Sequence, residues 1–198
     1  LHYYRAGHPS ASADMFLWGD RVHKNSILML KHNHILRKKA RAMATKTNAM
    51  RILDNMKIPY TLHTYTCDEF IDGEQIADML GLPYEKVYKT LVAQGSSKNY
   101  YVFVIPIAEK LDMKKAATSV GEKSVTMLHV KEINSVTGYI RGGCTAIGMK
   151  KQYVTRIEQS AEALEKIIVS GGKIGIQLEL SPQDLRNASG ASFAALVQ

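Results

Sequence analysis

Cysteine is scarce in this chain: there are 2 in 198 residues, Cys67 and Cys144. Two distant thiols make neither a disulfide-dense scaffold nor a metal-ligand spacing, and a reducing compartment, the cytoplasm, is the expectation. Long apolar runs are also missing. The best candidate, Ile27-Leu28-Met29-Leu30, is four residues long and sits between Lys24 and Lys31. It is far short of the roughly 18 residues a membrane span needs and too short for a signal-peptide core, so no membrane partner is expected. The zinc signatures H-E-x-x-H and H-x-E with P-C-x-x-C are absent, so no metal and no other cofactor is expected. Ser170-Gly171-Gly172-Lys173 lacks the spaced first glycine and the following Ser/Thr of a phosphate loop, which removes nucleotide hydrolysis.

Acidic residues are few at one end only. Residues 1–42 hold 8 of the 26 Lys+Arg but 2 of the 18 Asp+Glu, which leaves +2 of the net +8 for residues 43–198. The first segment also carries His2, His8, His23, His32 and His34, five of seven histidines. Its basic run Arg37-Lys38-Lys39-Ala40-Arg41 has the composition of an organelle leader or a nucleic-acid arm. No regular apolar period holds through residues 1–20, and Asn25 to Ala42 can form a basic helix. Residues 1–42 are therefore expected to be a non-native-looking or disordered basic leader, and 43–198 the folded domain. A near-neutral body with no reading helix gives no reason to expect DNA.

From Thr47 onward the sequence is regular. Thr47 predicts an N-cap for a helix carrying Met50, Ile52, Leu53 and Met56, and Ile58-Pro59 ends it. A strand is expected over 60–65. Asp72 and Gly81 frame a second helix. Val87–Ala93 and Tyr100–Ile105 form a hairpin across Gly95-Ser96-Ser97-Lys98. Asp112 caps a helix to Ser119. Beyond it, 125–128 predicts a strand and 130–135 a short helix, then 152–158 a strand and 161–166 a helical turn. Ile167–Val169 and Ile174–Leu180 are expected to pair antiparallel. Ser181 and Pro182 start a helix, and a last helical piece is expected near 193–197. Short strands, hairpin turns and interspersed helices predict an α+β fold with a mixed, mainly antiparallel sheet.

Two features in this frame can carry chemistry. Lys89 lies inside an apolar strand, on the alternation face of Val87 and Leu91, where a lysine either snorkels to water or points into a site. Gly142-Gly143-Cys144-Thr145-Ala146-Ile147-Gly148-Met149-Lys150-Lys151 leaves backbone amides uncovered and ends in two lysines. Such a loop can donate N–H groups to a developing oxyanion while the lysines hold a phosphate; it can equally be a turn with two solvated lysines. Cys144 as a nucleophile needs a base, and only His63 and His129 lie outside the first segment. Asp184 in a helix first turn can simply complement the helix dipole.

Taken in order, Thr47-Asn48-Ala49, Ile58-Pro59-Tyr60, His63-Thr64-Tyr65, Tyr88-Lys89-Thr90-Leu91, Leu111 to Ala116, Thr137-Gly138-Tyr139, the 142–151 loop, Val169 to Lys173 and Pro182-Gln183-Asp184-Leu185 resemble the YbaK family of Cys-tRNA(Pro) deacylases. These are relatives of the editing domain inserted in bacterial prolyl-tRNA synthetase. The resemblance covers about 46–197. It implies a barrel-like sheet surrounded by helices. It also implies clearance of cysteine from mischarged tRNA(Pro), with prolyl-tRNA synthetase as a partner. The implied catalytic positions are Lys89, Gly142 and Gly143, and the implied substrate-binding positions are Tyr65, Thr90, Thr145 and Asp184. The family needs no protein nucleophile, because a cysteinyl ester carries its own thiol. One departure is clear: where members commonly have Ser-Pro, this chain has Thr145-Ala146, losing proline's rigidity. A deacylase for another small amino acid such as alanine, and a non-catalytic tRNA- or synthetase-binding module, are the alternatives.

Overall fold

A computed structural model describes residues 46–66 and 71–198. Expectations for residues 1–42 and for Cys67 lie outside the described residues. Thr47–Gln198 forms one unit.

The local signals become elements where capping chemistry predicted them. Helix α1, Asn48–Asn55, starts where the Thr47 hydroxyl accepts the Met50 N–H at 3.2 Å, and it buries Ala49, Met50 and Leu53. Strand β1 is Thr61–Thr64. Helix α2, Gly73–Leu80, opens with a reciprocal capping box between Asp72 and Gln75 and closes on Gly81 in the left-handed region. A 3-10 turn, Tyr84–Lys86, leads into β2, Tyr88–Gly95, and β3, Tyr100–Pro106. Helix α3, Met113–Ser119, is capped by Asp112, which accepts the N–H groups of Lys114 and Lys115. Then come β4, Val125–Met127, and α4, Val130–Thr137, which runs two residues past its predicted end to Gly138. After the glycine loop follow β5, Val154–Glu158, a 3-10 turn at Gln159–Ala163, β6, Ile167–Ser170, and β7, Ile176–Leu180. Helix α5, Pro182–Ser189, begins at the Ser181 cap.

The strands form two sheets, β4-β2-β3-β5-β8 and β1-β7-β6, where β8 is Ser192–Ala194. Four pairings are antiparallel; β3 with β5 and β5 with β8 are parallel. The α+β class and the mixed, mainly antiparallel character hold. The barrel-like closure does not: among the described residues the two sheets stay open, and the one backbone bridge between them is the parallel one of Val87 with Ile168.

Central strand β3 is buried on both faces. Val102 and Val104 pack with Leu53, Ile147, Ile157 and Leu178, while Tyr101, Phe103 and Ile105 pack with Ala93, Ala116 and Leu196. Strand β2 alternates likewise: Tyr88 and Val92 join the first cluster, Leu91 and Ala93 the second. Lys89 shares the second parity, pairs across the ladder with Ile105, and is only half-buried.

The predicted helical piece at 193–197 is instead β8 followed by a pinned loop. The cause is remote in sequence. Buried Glu158 accepts the Leu196 N–H at 2.6 Å and the Val197 N–H at 3.1 Å, which holds the segment extended beside β5. The same carboxylate accepts the Ser160 N–H at 3.3 Å, so removing it leaves three backbone donors unpaired. Glu158→Ala is expected to cost about 2–4 kcal/mol in denaturant unfolding, with β8 losing hydrogen-exchange protection first.

Candidate active site

The start of β2, the start of α2 and the glycine loop line a cavity of about 420 Å³. Lys89, Thr90, Gly142 and Cys144 line it, together with Glu74, Ile107, Arg141, Ser170 and Gln177. Lys89 and the glycine loop, more than fifty residues apart in sequence, thus meet at one site.

Lys89 is fixed rather than floating. Its Nζ donates to the Ile107 carbonyl oxygen at 2.7 Å. Burial pushes its pKa below the ordinary lysine value, Glu74 and Glu109 pull it back up, and Lys110 pushes it down. One N–H is used by the carbonyl. An ammonium has three, so two remain for a ligand.

The loop is clamped at its far end. Tyr139 Oη donates to the Ile147 carbonyl at 2.7 Å, and Asn48 Nδ2 donates to the Gly148 carbonyl at 3.1 Å. Gly142 has φ 81°, which favours glycine. Gly143 faces close backbone: a Cβ there would stand 3.1 Å from the Ile174 nitrogen and 3.2 Å from two Lys173 atoms. The Gly143 N–H donates to the Ile140 carbonyl at 3.0 Å, so the loop's own turn already uses it. Among the described residues no acceptor takes the Gly142 or Cys144 N–H. The open amides therefore flank Gly143.

Cys144 lines the cavity, but burial raises its thiol pKa to about 11, against a lowering by Thr137. At neutral pH it is a thiol and not a thiolate, hence a poor nucleophile. The His63 Nε2 is 3.0 Å from Glu179. His129 occupies the N-cap position of α4.

Four implied positions do not line the cavity, and Gly143, between two residues that do, is the first. Tyr65 follows β1, where its N–H donates to the Gly175 carbonyl, and it does not line the cavity. Thr145 is fully buried, and its hydroxyl has no hydrogen-bond partner among the described residues. Asp184 accepts the Ser181 hydroxyl at 2.7 Å inside the α5 cap. Lys150 and Lys151, expected to back the glycines, line a different groove. Gln177 is a cavity residue the sequence reading passed over. The sequence carries no signal for it: Ile176–Leu180 alternates apolar and polar, which puts Gln177 with Glu179 on an ordinary polar face, and only the fold buries it.

An open two-sheet α+β body brings a lysine and a glycine loop to one cavity, and comparison with known proteins identifies the family. Residues 71–188 match the family described as aminoacyl-tRNA editing domain. An Enterococcus faecalis protein named "Putative Cys-tRNA(Pro)/Cys-tRNA(Cys) deacylase EbsC" is 42% identical over 152 residues, covering 76% of this chain and 93% of the relative. The Bacillus subtilis protein YwhH, uncharacterised, is 25% identical over 116 residues, covering 59% and 73%. The fold superposes with a TM-score of 0.65 on a crystal structure titled as a putative trans-editing enzyme for prolyl tRNA synthetase, at 19% identity over 78% of this chain and 99% of that one. This chain belongs to the aminoacyl-tRNA editing domain family.

A protonated, base-less thiol should be replaceable. Cys144→Ser and Cys144→Ala are expected to change ester cleavage by less than about tenfold, or about 1.4 kcal/mol in barrier. A loss of about a thousandfold in both, with the melting temperature kept, would make Cys144 a nucleophile.

Proposed function

We propose that this chain is a trans-editing deacylase that removes cysteine from mischarged tRNA(Pro), with residues 43–198 as the catalytic unit and prolyl-tRNA synthetase as its cytoplasmic partner. The observation that carries the reading is a half-buried ammonium, Lys89, sharing a cavity with the open Gly142 amide and with the protonated thiol of Cys144. Family membership and the named activity of the 42% identical relative support it.

The chemistry fits such a site. The sulfur of the cysteinyl ester attacks its own carbonyl carbon. An S–C bond forms, the C–O bond to the terminal ribose breaks, and the thiol proton ends on the leaving ribose oxygen. The product ring has four atoms, S, Cβ, Cα and the carbonyl carbon, and water then opens it to free cysteine. A four-membered ring is strained, so the reacting atoms must be held in place, which is the contribution of a positioning enzyme. The amides of Gly142 and Cys144 face the carbonyl oxygen as negative charge develops. Lys89 holds phosphate or ribose oxygens of the tRNA end through its two remaining N–H groups. Thr90 lines the same wall.

The test is a deacylation panel: tRNA(Pro) charged with cysteine, alanine, serine or proline, each with and without the synthetase. Cysteine is expected to be cleaved about a hundredfold or more faster than serine, because sulfur is the better nucleophile at neutral pH. Lys89→Ala is expected to lose most activity. Lys89→Arg should restore it only in part, because a planar guanidinium does not reproduce a compact ammonium. Preferential cleavage of alanine would move the assignment to another editing specificity. No cleavage of any ester would leave a binding module.

A further inference from the structure

The 142–151 segment reaches two places. Its glycine end lines the Lys89 cavity, and its lysine end lines a separate groove of about 580 Å³. Lys150 and Lys151 stand there with Lys98, which sits at the β2–β3 turn with φ 70°. All three lysines are exposed, and among the described residues none pairs with a carboxylate. Lys150 Nζ donates to the Ser135 carbonyl at 3.3 Å; no hydrogen bond from the ammonium of Lys98 or Lys151 is found among the described residues. Between the lysines lie two half-buried tyrosines, Tyr100 and Tyr153, with ring centroids 6.2 Å apart and planes at 90°.

We propose that this groove is a second anchoring site for the RNA strand, separate from the cavity that handles the ester. Three ammonium groups with no carboxylate partner among the described residues, concentrated on a body of net charge +2, give a local phosphate site. Aromatic rings interleaved with lysines are the chemistry that receives unpaired bases or sugar faces along a strand. The proposal rests on the deacylase reading only for which RNA arrives. Spacing supports a shared ligand. Tyr100 lies five residues along β3 from Ile105, the ladder partner of Lys89. That is about 17 Å at ~3.4 Å per residue, or on the order of five stacked nucleotides. Tyr100 and Lys89 have opposite parity in the β2–β3 ladder, so a strand joining the two places must also round the sheet edge, which a three-nucleotide end is too short to do.

The experiment uses the full chain and the double variant Lys98→Glu with Lys151→Glu, which leaves the Lys150 hydrogen bond in place. Binding of uncharged tRNA(Pro) is measured between about 50 and 200 mM KCl, beside cleavage of a cysteinyl ester on a three-nucleotide acceptor end. Affinity is expected to fall about tenfold or more, and the slope of log K against log salt to flatten by about 1.4, at ~0.7 per lost phosphate contact. Cleavage of the short ester should stay within about twofold, and Lys98→Arg with Lys151→Arg should keep both affinity and slope, because charge is retained. Three results overturn the proposal. They are unchanged tRNA affinity in a folded variant, a loss that appears only when the synthetase is added, and an equal loss on the short ester. The second would make the groove a protein-docking face, and the third would put the lysines at the chemistry. Failure of wild-type protein to cleave the cysteinyl ester would strike the deacylase reading and leave the binding result standing.

Discussion

The site depends on one hydrogen bond, from the Lys89 ammonium to the Ile107 carbonyl. Taking a cation partly out of water is unfavourable unless its protons find acceptors. The carbonyl supplies one, and Glu74 and Glu109 add opposing charge nearby. This arrangement needs a strand that does not shift. The β2–β3 hairpin meets that need because β3 is packed on both faces, so a slip of one residue would carry Phe103 and Ile105 out of one cluster and Val102 and Val104 out of the other. The hydrophobic core thereby fixes a cation at the mouth of a cavity.

The glycine loop answers the second half of the same problem. Tyr139 and Asn48 hold its carbonyls, so its amides can face the cavity without a ligand to order them. Gly148 is part of that clamp: a side chain there would meet Ile52 and Asn48 and would sit at φ 70°. With Thr145-Ala146 where relatives commonly have Ser-Pro, loop rigidity comes from these contacts and from burial of Thr145, Ala146 and Ile147. In the proposed mechanism the loop positions an oxygen, Lys89 positions the RNA end, and the attacking group is the substrate's own.

Much of this was legible because it is local. Caps at Thr47, Asp72, Asp112 and Ser181 act within four residues, and the hairpin turn at 95–98 sits between two strand-forming runs. Lys89 stood out because its strand was otherwise apolar. What escaped the sequence was set by long-range contacts. Glu158 holds a segment 38 residues away, so a piece with helical composition became extended. Whether a sheet closes depends on how strand ends meet in space, and here, among the described residues, a single backbone bridge joins the two sheets. The use of the Gly143 amide by Ile140, and the parting of Lys150 and Lys151 from the glycines, follow from the path of the loop and not from its composition.

The central claim is that the enzyme positions and the substrate's own sulfur reacts. The most direct measurement is product analysis in single turnover: cysteinyl-tRNA(Pro) is mixed with excess enzyme, quenched in acid at short times, and separated by mass. The account predicts that a cysteine thiolactone, lighter than cysteine by one water, forms before free cysteine, and that S-methylcysteinyl-tRNA(Pro), with its sulfur blocked, yields neither product at a comparable rate. Direct appearance of free cysteine, together with undiminished cleavage of the S-methyl ester, would show that water is the nucleophile and would contradict the account.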